Sequence, residues 1–369
     1  MTTTYIPGVN ATSEVGETQK VTVTDAASAG GVDVLAPATV LGGAVDVATV
    51  FGGTTSNPHT VGADVGLPTI SGGYNNEVTT GIASTIAGGA HHVANATDGH
   101  TFIGGGSYQR TTGAYSASVG GNQNVAESNY SAVLGGLQNS VGDAANRTTK
   151  RYQACGGGFS NDAKGEATTI AGGYNNTTTG DNAAIAGGKD NVASSGGTFG
   201  FIGGGQANQV SATYGAVAGG YGAIASLYGQ QAQASGVFAA GGDAQTSVLV
   251  ARASTNSATP VELLLSGTAN RLTIATDRTA AFTITVAARR TDADNESAAY
   301  KFEGCIDNNA GVTALVGTVT QTVIAEDTAG WDCNVTASDA NDALIITATG
   351  EAAKTIRWVA RIELTEVAG

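Results

Sequence analysis

Several kinds of residue are scarce in this sequence, and each scarcity excludes a class of protein. Charged residues make up 12% of the 369 residues, about half the usual share, and 30 acidic residues face 16 basic ones. A net charge of −14 would repel phosphate, so we predict no nucleic-acid partner. No apolar run is long enough to span a bilayer, so we predict no membrane insertion.

Cysteine is also rare and has no metal-ligand spacing. Cys155, Cys305 and Cys333 form an odd set, in which Cys305 and Cys333 could meet across strands. The first residues contain neither a basic patch nor an apolar run, which predicts no secretory signal and assembly in a cytoplasm. No phosphate-binding loop, nucleophile elbow or zinc-protease motif is present. We therefore expect no cofactor, no metal centre, no catalytic residue and no enzymatic activity.

Glycine, in contrast, is abundant, with 55 residues, and much of it recurs in pairs. The pairs begin at Gly72, Gly88, Gly105, Gly120, Gly135, Gly157, Gly172, Gly187, Gly204 and Gly219. Successive pairs are 15 to 17 residues apart, except for one interval of 22. A short fixed period of this kind predicts a parallel β-solenoid, in which each coil supplies two short strands and two turns.

A polar side chain recurs four residues after the first glycine of most pairs. Stacked amides can bond from coil to coil, which predicts a structural ladder formed by Asn76, His92, Gln109, Asn124, Asn139, Asn161, Asn176, Asn191 and Asn208. Two positions further on, the residue is small or β-branched in every copy, which predicts a thin core. We expect the glycine pairs to supply left-handed or otherwise strained backbone at tight corners.

The composition changes after about Ser247, where longer stretches of alternating apolar and polar residues replace the glycine pairs. Such alternation over 282–286 and 356–364, separated by turn signals, predicts an antiparallel β-sandwich of the jelly-roll type. The prediction is thus an all-β chain with four parts. These are an N-terminal segment that caps the coils or attaches to a larger assembly (1–50), a β-solenoid shaft (51–225), a neck (226–250) and a C-terminal sandwich (251–369).

Two groups of residues are candidates for contact with a receptor. Arg147, Lys150 and Arg151 lie in the insertion at 143–153, and insertions in solenoids map to loops that often carry contacts. A salt bridge to a neighbouring coil or subunit is the alternative for these cations.

The second group lies in the predicted sandwich. Asp292, Asp294 and Asn295 form an oxygen-rich run that suits either Ca²⁺ or a solvated turn. Tyr300 and Trp331 suit either a platform on which a glycan stacks or the core of the sandwich.

Two parts of the chain resemble known families. The GGxxNxA repeat resembles the β-roll heads of trimeric autotransporter adhesins and similar repeats in bacteriophage tail fibres. The stretches ELLLSGTANRLTI (262–274) and VAARRTDADNESAAYKFEGCIDN (286–308) look like a terminal domain of phage tail-fibre proteins.

The resemblance implies a homotrimeric fibre in the virion, a tail appendage that adheres to a glycan on the host surface. Its N-terminal segment would attach to the baseplate, tail or another virion protein. A tailspike-type polysaccharide depolymerase and a head or neck decoration fibre are the alternatives.

Overall fold

The computed structural model describes residues 39–40, 49–50, 59–62, 65–96, 99–293 and 295–369. They fall into two compact units, one that ends at Asn182 and one that runs from Ala183 to Gly369. Most of the predicted N-terminal segment, and Asp294 among the candidate residues, lie outside the described residues.

The first unit consists of short parallel strands that alternate between two sheets. They are β1 (Thr39–Val40), β2 (Thr49–Val50), β3 (Thr60–Val61), β4 (Thr69–Ile70), β5 (Glu77–Thr80), β6 (Thr85–Ile86), β7 (Val93–Asn95), β8 (Phe102–Ile103), β9 (Arg110–Thr111), β10 (Ala117–Ser118), β11 (Val125–Ala126), β12 (Ala132–Val133), β13 (Ser140–Val141), β14 (Ala154–Cys155), β15 (Asp162–Ala163), β16 (Thr169–Ile170) and β17 (Thr177–Thr178). Odd-numbered strands form one sheet and even-numbered strands the other. The parallel β-solenoid predicted from the glycine pairs is confirmed.

Each strand pairs with the strand one coil away, so that equivalent residues lie side by side. Ala126 of β11, for example, lies opposite Thr111 of β9 and Val141 of β13. From β3 onward, the second residue of each two-residue strand of this unit points inward, and Ile103 and Val133 are fully buried in this way. Small residues such as Ala126 face them from the other sheet, which keeps the core thin.

The two glycines of a pair are not equivalent. The second glycine takes left-handed backbone in every pair, with φ near +90° at Gly121, Gly136 and Gly158, whereas the first has a positive φ in only some pairs, such as +145° at Gly157. A Cβ atom on Gly136 would lie 2.2 Å from the carbonyl oxygen of Gly158 in the next coil, whereas a Cβ on Gly135 would meet nothing within 4 Å. The second glycine is therefore required because two coil backbones approach each other closely there.

Buried asparagine side chains join the coils next to these glycines. The Nδ2 group of Asn139 donates to the carbonyl oxygens of Gly135 (3.0 Å) and Gly158 (2.9 Å). Its Oδ1 accepts the backbone N–H of Asn161 at 3.0 Å, and Asn124 does the same for Asn139 at 2.9 Å. Each buried amide thus satisfies backbone groups of two coils at once.

In two coils His92 and Gln109 occupy the ladder position in place of asparagine. The Nδ1 atom of His92 accepts the backbone N–H of Gln109 at 3.0 Å, so the proton of the neutral ring lies on Nε2. Burial lowers the pKa of His92 to about 4, and the backbone carbonyls of Gly88 and Gly106 offset only part of that effect.

The second unit also begins with coils and continues into long antiparallel strands. Its strands are β18 (Ala184–Ile185), β19 (Val192–Ala193), β20 (Phe201–Ile202), β21 (Gln209–Val210), β22 (Ala216–Tyr221), β23 (Ile224–Ala225), β24 (Gln231–Ser235), β25 (Ala244–Thr255), β26 (Val261–Glu262), β27 (Leu272–Thr273), β28 (Arg278–Arg290), β29 (Ser297–Asn309), β30 (Val312–Leu315), β31 (Thr320–Glu326), β32 (Asp332–Ser338), β33 (Ala343–Thr349) and β34 (Ile356–Ala368). A 3-10 turn at Asp339–Asn341 is the one helical segment among the described residues.

The last coil is covered by the first long strand. β24 pairs in parallel with β22 on one side and in antiparallel with β25 on the other. This change of direction ends the stacking, because β25 continues into an antiparallel sheet with β34, β28, β29 and β31.

A second, smaller sheet packs against the long one. It consists of β26, β27, β32 and β33, and the core between the sheets contains Phe282, Ile284, Trp358 and Ile362. The predicted antiparallel C-terminal structure is confirmed. None of the described residues forms a helix long and apolar enough to cross a membrane.

Candidate functional site

The predicted basic cluster lies in an ordered loop of the first unit. Asp143 begins the loop, and its carboxylate accepts the backbone N–H of Ala145 at 2.9 Å. Arg147 donates from its guanidinium to the carbonyl oxygen of Thr112 at 3.3 Å, which folds the loop back over earlier coils. Lys150 pairs with both carboxylate oxygens of Asp181, 2.6 Å away at Oδ2. The salt-bridge alternative therefore holds for Lys150.

Arg151 leads from this loop to a row of exposed aromatic side chains. Its guanidinium carbon lies 5.2 Å from the centroid of the Tyr152 ring, a cation–π distance. Tyr152 stacks on Tyr130 at 5.3 Å, and Tyr130 on Tyr115 at 5.1 Å with an angle of 3° between the ring planes. His100 lies 5.5 Å from Tyr115. We call His100, Tyr115, Tyr130 and Tyr152 the aromatic row.

The tyrosines of the aromatic row adopt an unfavourable backbone conformation. Their φ angles are +58° at Tyr115, +59° at Tyr130 and +65° at Tyr152, in the left-handed region that bulky residues rarely enter. In the next two coils the same turn contains Ala167 and Asn182, also with positive φ, so this turn does not require an aromatic ring. The left-handed conformation is therefore a property of the coil corner, and the tyrosine rings occur there in addition to it.

The stacking also decides which part of each ring is available. Tyr130 turns its two faces toward Tyr115 and Tyr152, so its edge and hydroxyl group face solvent. The three side chains are 46 to 51% exposed. None of their hydroxyl groups has a hydrogen-bond partner within the described residues. The row therefore presents unsatisfied donors and acceptors, one per coil.

Sequence reasoning missed the aromatic row. The available signal was the recurrence of tyrosine ten residues after the first glycine at Tyr115 and Tyr130, and again at Tyr214. A spacing equal to the coil period would have placed these rings in one column.

Two candidates in the second unit are corrected by the structure. Tyr300 is fully buried, and Trp331 is 2% exposed. Trp331 packs 5.9 Å from Trp358, and Tyr300 donates its hydroxyl to Glu326 at 3.1 Å. Both belong to the sandwich core, because Tyr300 points inward from β29 and Trp331, directly before β32, packs against Trp358, and neither is available to a receptor.

The oxygen-rich run is neutralised by neighbouring cations. Asp292 accepts from the guanidinium of Arg290 at 2.8 Å, and this contact lowers the pKa of the Asp292 carboxyl. Glu296 pairs with Arg290 at 2.9 Å and with Lys354 at 2.7 Å. Asn295 is exposed. The carboxylates of Asp292 and Glu296 thus belong to an ion-pair network, and the described residues on either side of 294 favour a solvated turn.

A shorter aromatic pair occurs in the coils of the second unit. Phe199 stacks on Tyr214 at 5.2 Å, and Tyr214 meets Tyr228 edge-on at 5.4 Å. Tyr228 lines a cavity of about 870 Å³ whose polar groups include those of Arg271 and Asn341. Arg271 is held by Glu262 at 2.9 Å, so its charge is compensated.

Cysteine and histidine side chains do not converge on a metal site in the described ranges. No group of three or more potential ligands lies together there. Cys155, Cys305 and Cys333 are free thiols. His91 stacks on Tyr108 at 4.6 Å, while its neighbour His92 is buried in the ladder.

Crystal structures of phage tailspike proteins are similar to the chain at a low level. Tailspike gp49 of Acinetobacter baumannii bacteriophage Fri1, a capsular polysaccharide depolymerase, aligns over 84% of this chain and 68% of its own, with 9% identity and a TM-score of 0.20. The A. baumannii phage AM24 tailspike aligns over 89% and 76%, with 8% identity and a TM-score of 0.22. The Acinetobacter phage vB_ApiP_P1 tailspike aligns over 87% of this chain and 70% of its own, with 8% identity and a TM-score of 0.22. No protein-family model and no curated protein matches the sequence.

The comparison corrects one prediction. The sequence predicted a protein without enzymatic activity, whereas the Fri1 tailspike is a capsular polysaccharide depolymerase. The prediction that the chain is not an enzyme is contradicted by this finding and is withdrawn.

Proposed function

We propose that the chain is a bacteriophage tail protein that binds a polysaccharide of the host surface. The observation that carries the proposal is the aromatic row, an exposed column of rings held in strained backbone beside the loop at 143–153. The resemblance of the repeat and of the C-terminal stretch to phage tail fibres supports the same class of protein, to which the tailspikes named above also belong.

The contact surface consists of Tyr115, Tyr130 and Tyr152, with Arg151 at one end. Tyrosine suits a polysaccharide because its ring offers apolar area and its hydroxyl group can donate and accept hydrogen bonds. Each contact is weak, and several identical ones along one column add up to a useful affinity.

Binding of purified protein to an array of purified bacterial capsular polysaccharides tests the proposal. We expect wild type to bind at least one polymer and Tyr130→Ala to lose most of that binding. Tyr214→Ala, in the aromatic pair of the second unit, is the matched control and should bind as wild type does. Equal binding by the Tyr130 variant and wild type would refute the assignment. Chromatography of the bound polymer for shortened chains tests depolymerase activity in the same samples.

We also propose that the chain is a homotrimer located in the virion as a tail appendage. Residues 1–50 would hold it to the baseplate, tail or another virion protein. Val119 and Leu134, on the outer side of adjacent coils, are 44% and 60% exposed and supply apolar surface for subunit contact. Immunoelectron microscopy of virions tests the location, and label on the head or neck would favour the decoration fibre.

A further inference from the structure

We infer that the aromatic row binds an extended, linear polysaccharide along the direction in which the coils stack, with one sugar unit per coil. The contacts are hydrogen bonds to the hydroxyl groups of the three tyrosines and, at one end of the row, to the exposed ring of His100, rather than stacking on ring faces. The inference rests on the proposed function and specifies the class of polymer and the way it is held.

The spacing of the row is set by the backbone. Successive centroids are 5.5, 5.1 and 5.3 Å apart from His100 to Tyr152, close to the step of roughly 4.8 Å between hydrogen-bonded strands. A pyranose unit of an extended glycan advances by a similar length. A polymer lying along the row can therefore present one sugar unit, and a hydroxyl group of that unit, to each tyrosine in turn.

The stacking of the rings excludes the usual mode of sugar recognition. A sugar packs on the face of an aromatic ring, but the faces of Tyr130 are covered by Tyr115 and Tyr152. The solvent-facing edges and the unpartnered hydroxyl groups remain. The hydroxyl groups thus carry recognition, and the rings hold them at a fixed spacing.

The row also has a defined end. One coil beyond Tyr152 the equivalent residue is Ala167, whose methyl group offers no hydrogen bond. In the same coil Glu166 provides a carboxylate next to this position, and its backbone N–H donates to Asp181 at 2.8 Å. Only the four members of the row can therefore contact the polymer, and the further sugar units of a longer chain make no contact with the row.

The length of the ligand gives the test. A capsular polysaccharide that binds wild type on the array is partially hydrolysed, and oligomers of increasing length are titrated calorimetrically. We expect affinity to rise with each sugar up to about four and then to level off. Saturation with a mono- or disaccharide, or a rise that continues far beyond four units, would overturn the one-per-coil arrangement.

Removal of single hydroxyl groups tests the mode of contact. Tyr130→Phe keeps the stack and the strained backbone, and we expect it to weaken tetrasaccharide binding roughly 5- to 10-fold, as for one lost hydrogen bond. Tyr214→Phe is the control and should change nothing. Unchanged binding by the Tyr130 variant, with an unchanged melting temperature, would overturn the hydroxyl mechanism. Failure of wild type to bind any polymer on the array would instead overturn the proposed function.

Discussion

Single residues decide how closely two coils can approach. The second glycine of most pairs lies against a carbonyl oxygen of the next coil, and the asparagine three residues beyond it bonds to that same carbonyl group, as Asn139 does to Gly158. The two residue types act together, because the amide reaches the oxygen only if the glycine lets the backbones meet.

Substitution of the two glycines of one pair separates these roles. We expect Gly136→Ala to destabilise the first unit by about 3 kcal/mol, because the new Cβ meets backbone and the left-handed conformation is strained. Gly135→Ala is the control and should change stability by less than about 1 kcal/mol. Urea unfolding measures both, and equal effects would show that the close approach is not what selects glycine.

His92 makes the stability of the ladder depend on pH. Its pKa is about 4 in the folded chain, below the ordinary value of 6.5, so between these values the unfolded chain binds a proton that the folded chain does not. Stability should therefore fall as pH decreases from about 6.5 to 4.

The variant His92→Asn restores the residue found in most coils and removes this titration. We expect the free energy of unfolding of wild type to drop, relative to the variant, by on the order of 1–2 kcal/mol between pH 7 and pH 4, after allowance for solvent screening. Parallel stability profiles for the two proteins would show that His92 titrates alike in both states.

At the scale of elements, the way the coils end is the decisive feature. An open parallel strand exposes unpaired backbone groups, and in the second unit β25 covers those of β24. A polar network fixes this junction. Glu366 accepts from Arg278 at 2.9 Å and from the hydroxyl of Ser247 at 2.5 Å, and Gln230 donates to that hydroxyl at 2.7 Å.

Removal of the Glu366 carboxylate should destabilise the junction between β24 and β25. Glu366→Ala leaves the largely buried Arg278 without its counter-ion, and we expect a loss of about 3 kcal/mol. Glu363→Ala, on the same strand but in an exposed ion pair with Arg361, should cost about 0.5 kcal/mol or less. Thermal unfolding compares the two, and similar melting temperatures would contradict a role for the network.

At the scale of the whole molecule, the proposed trimer depends on exposed apolar side chains in the coils. Leu134 is the most exposed leucine of the described residues, at 60%, and Val119 lies beside it one coil away. A trimer interface over these two coils would remove both side chains from water.

A charge placed on this surface should prevent assembly. We expect Leu134→Asp to shift the protein from trimer to monomer in light scattering coupled to size-exclusion chromatography. Val125→Asp, which faces outward from the other sheet, is the control and should leave the trimer intact. A trimeric Leu134 variant would place the subunit contact elsewhere, and a monomeric wild type would refute the trimer.

The sequence by itself determined the repeating part of the fold. Each coil packs mainly against its neighbours, and the neighbours contain the same sequence motif. The length of a coil and its inward-pointing residues can therefore be predicted from local spacing. The same holds for the alternating strands of the sandwich, whose pattern of period two places Phe282, Ile284 and Trp358 inward.

Only the tertiary structure decided which side chains are available to a ligand. Tyr300 and Trp331 are buried because distant strands cover them, and Lys150 is neutralised by Asp181, 31 residues away in sequence. The aromatic row, conversely, exists because the left-handed turns of successive coils bring Tyr115, Tyr130 and Tyr152 into one column. Local spacing shows which residues point inward or lie in one column, but covering by distant strands and the pairing of charges depend on contacts between residues far apart in the chain, which a local pattern does not specify.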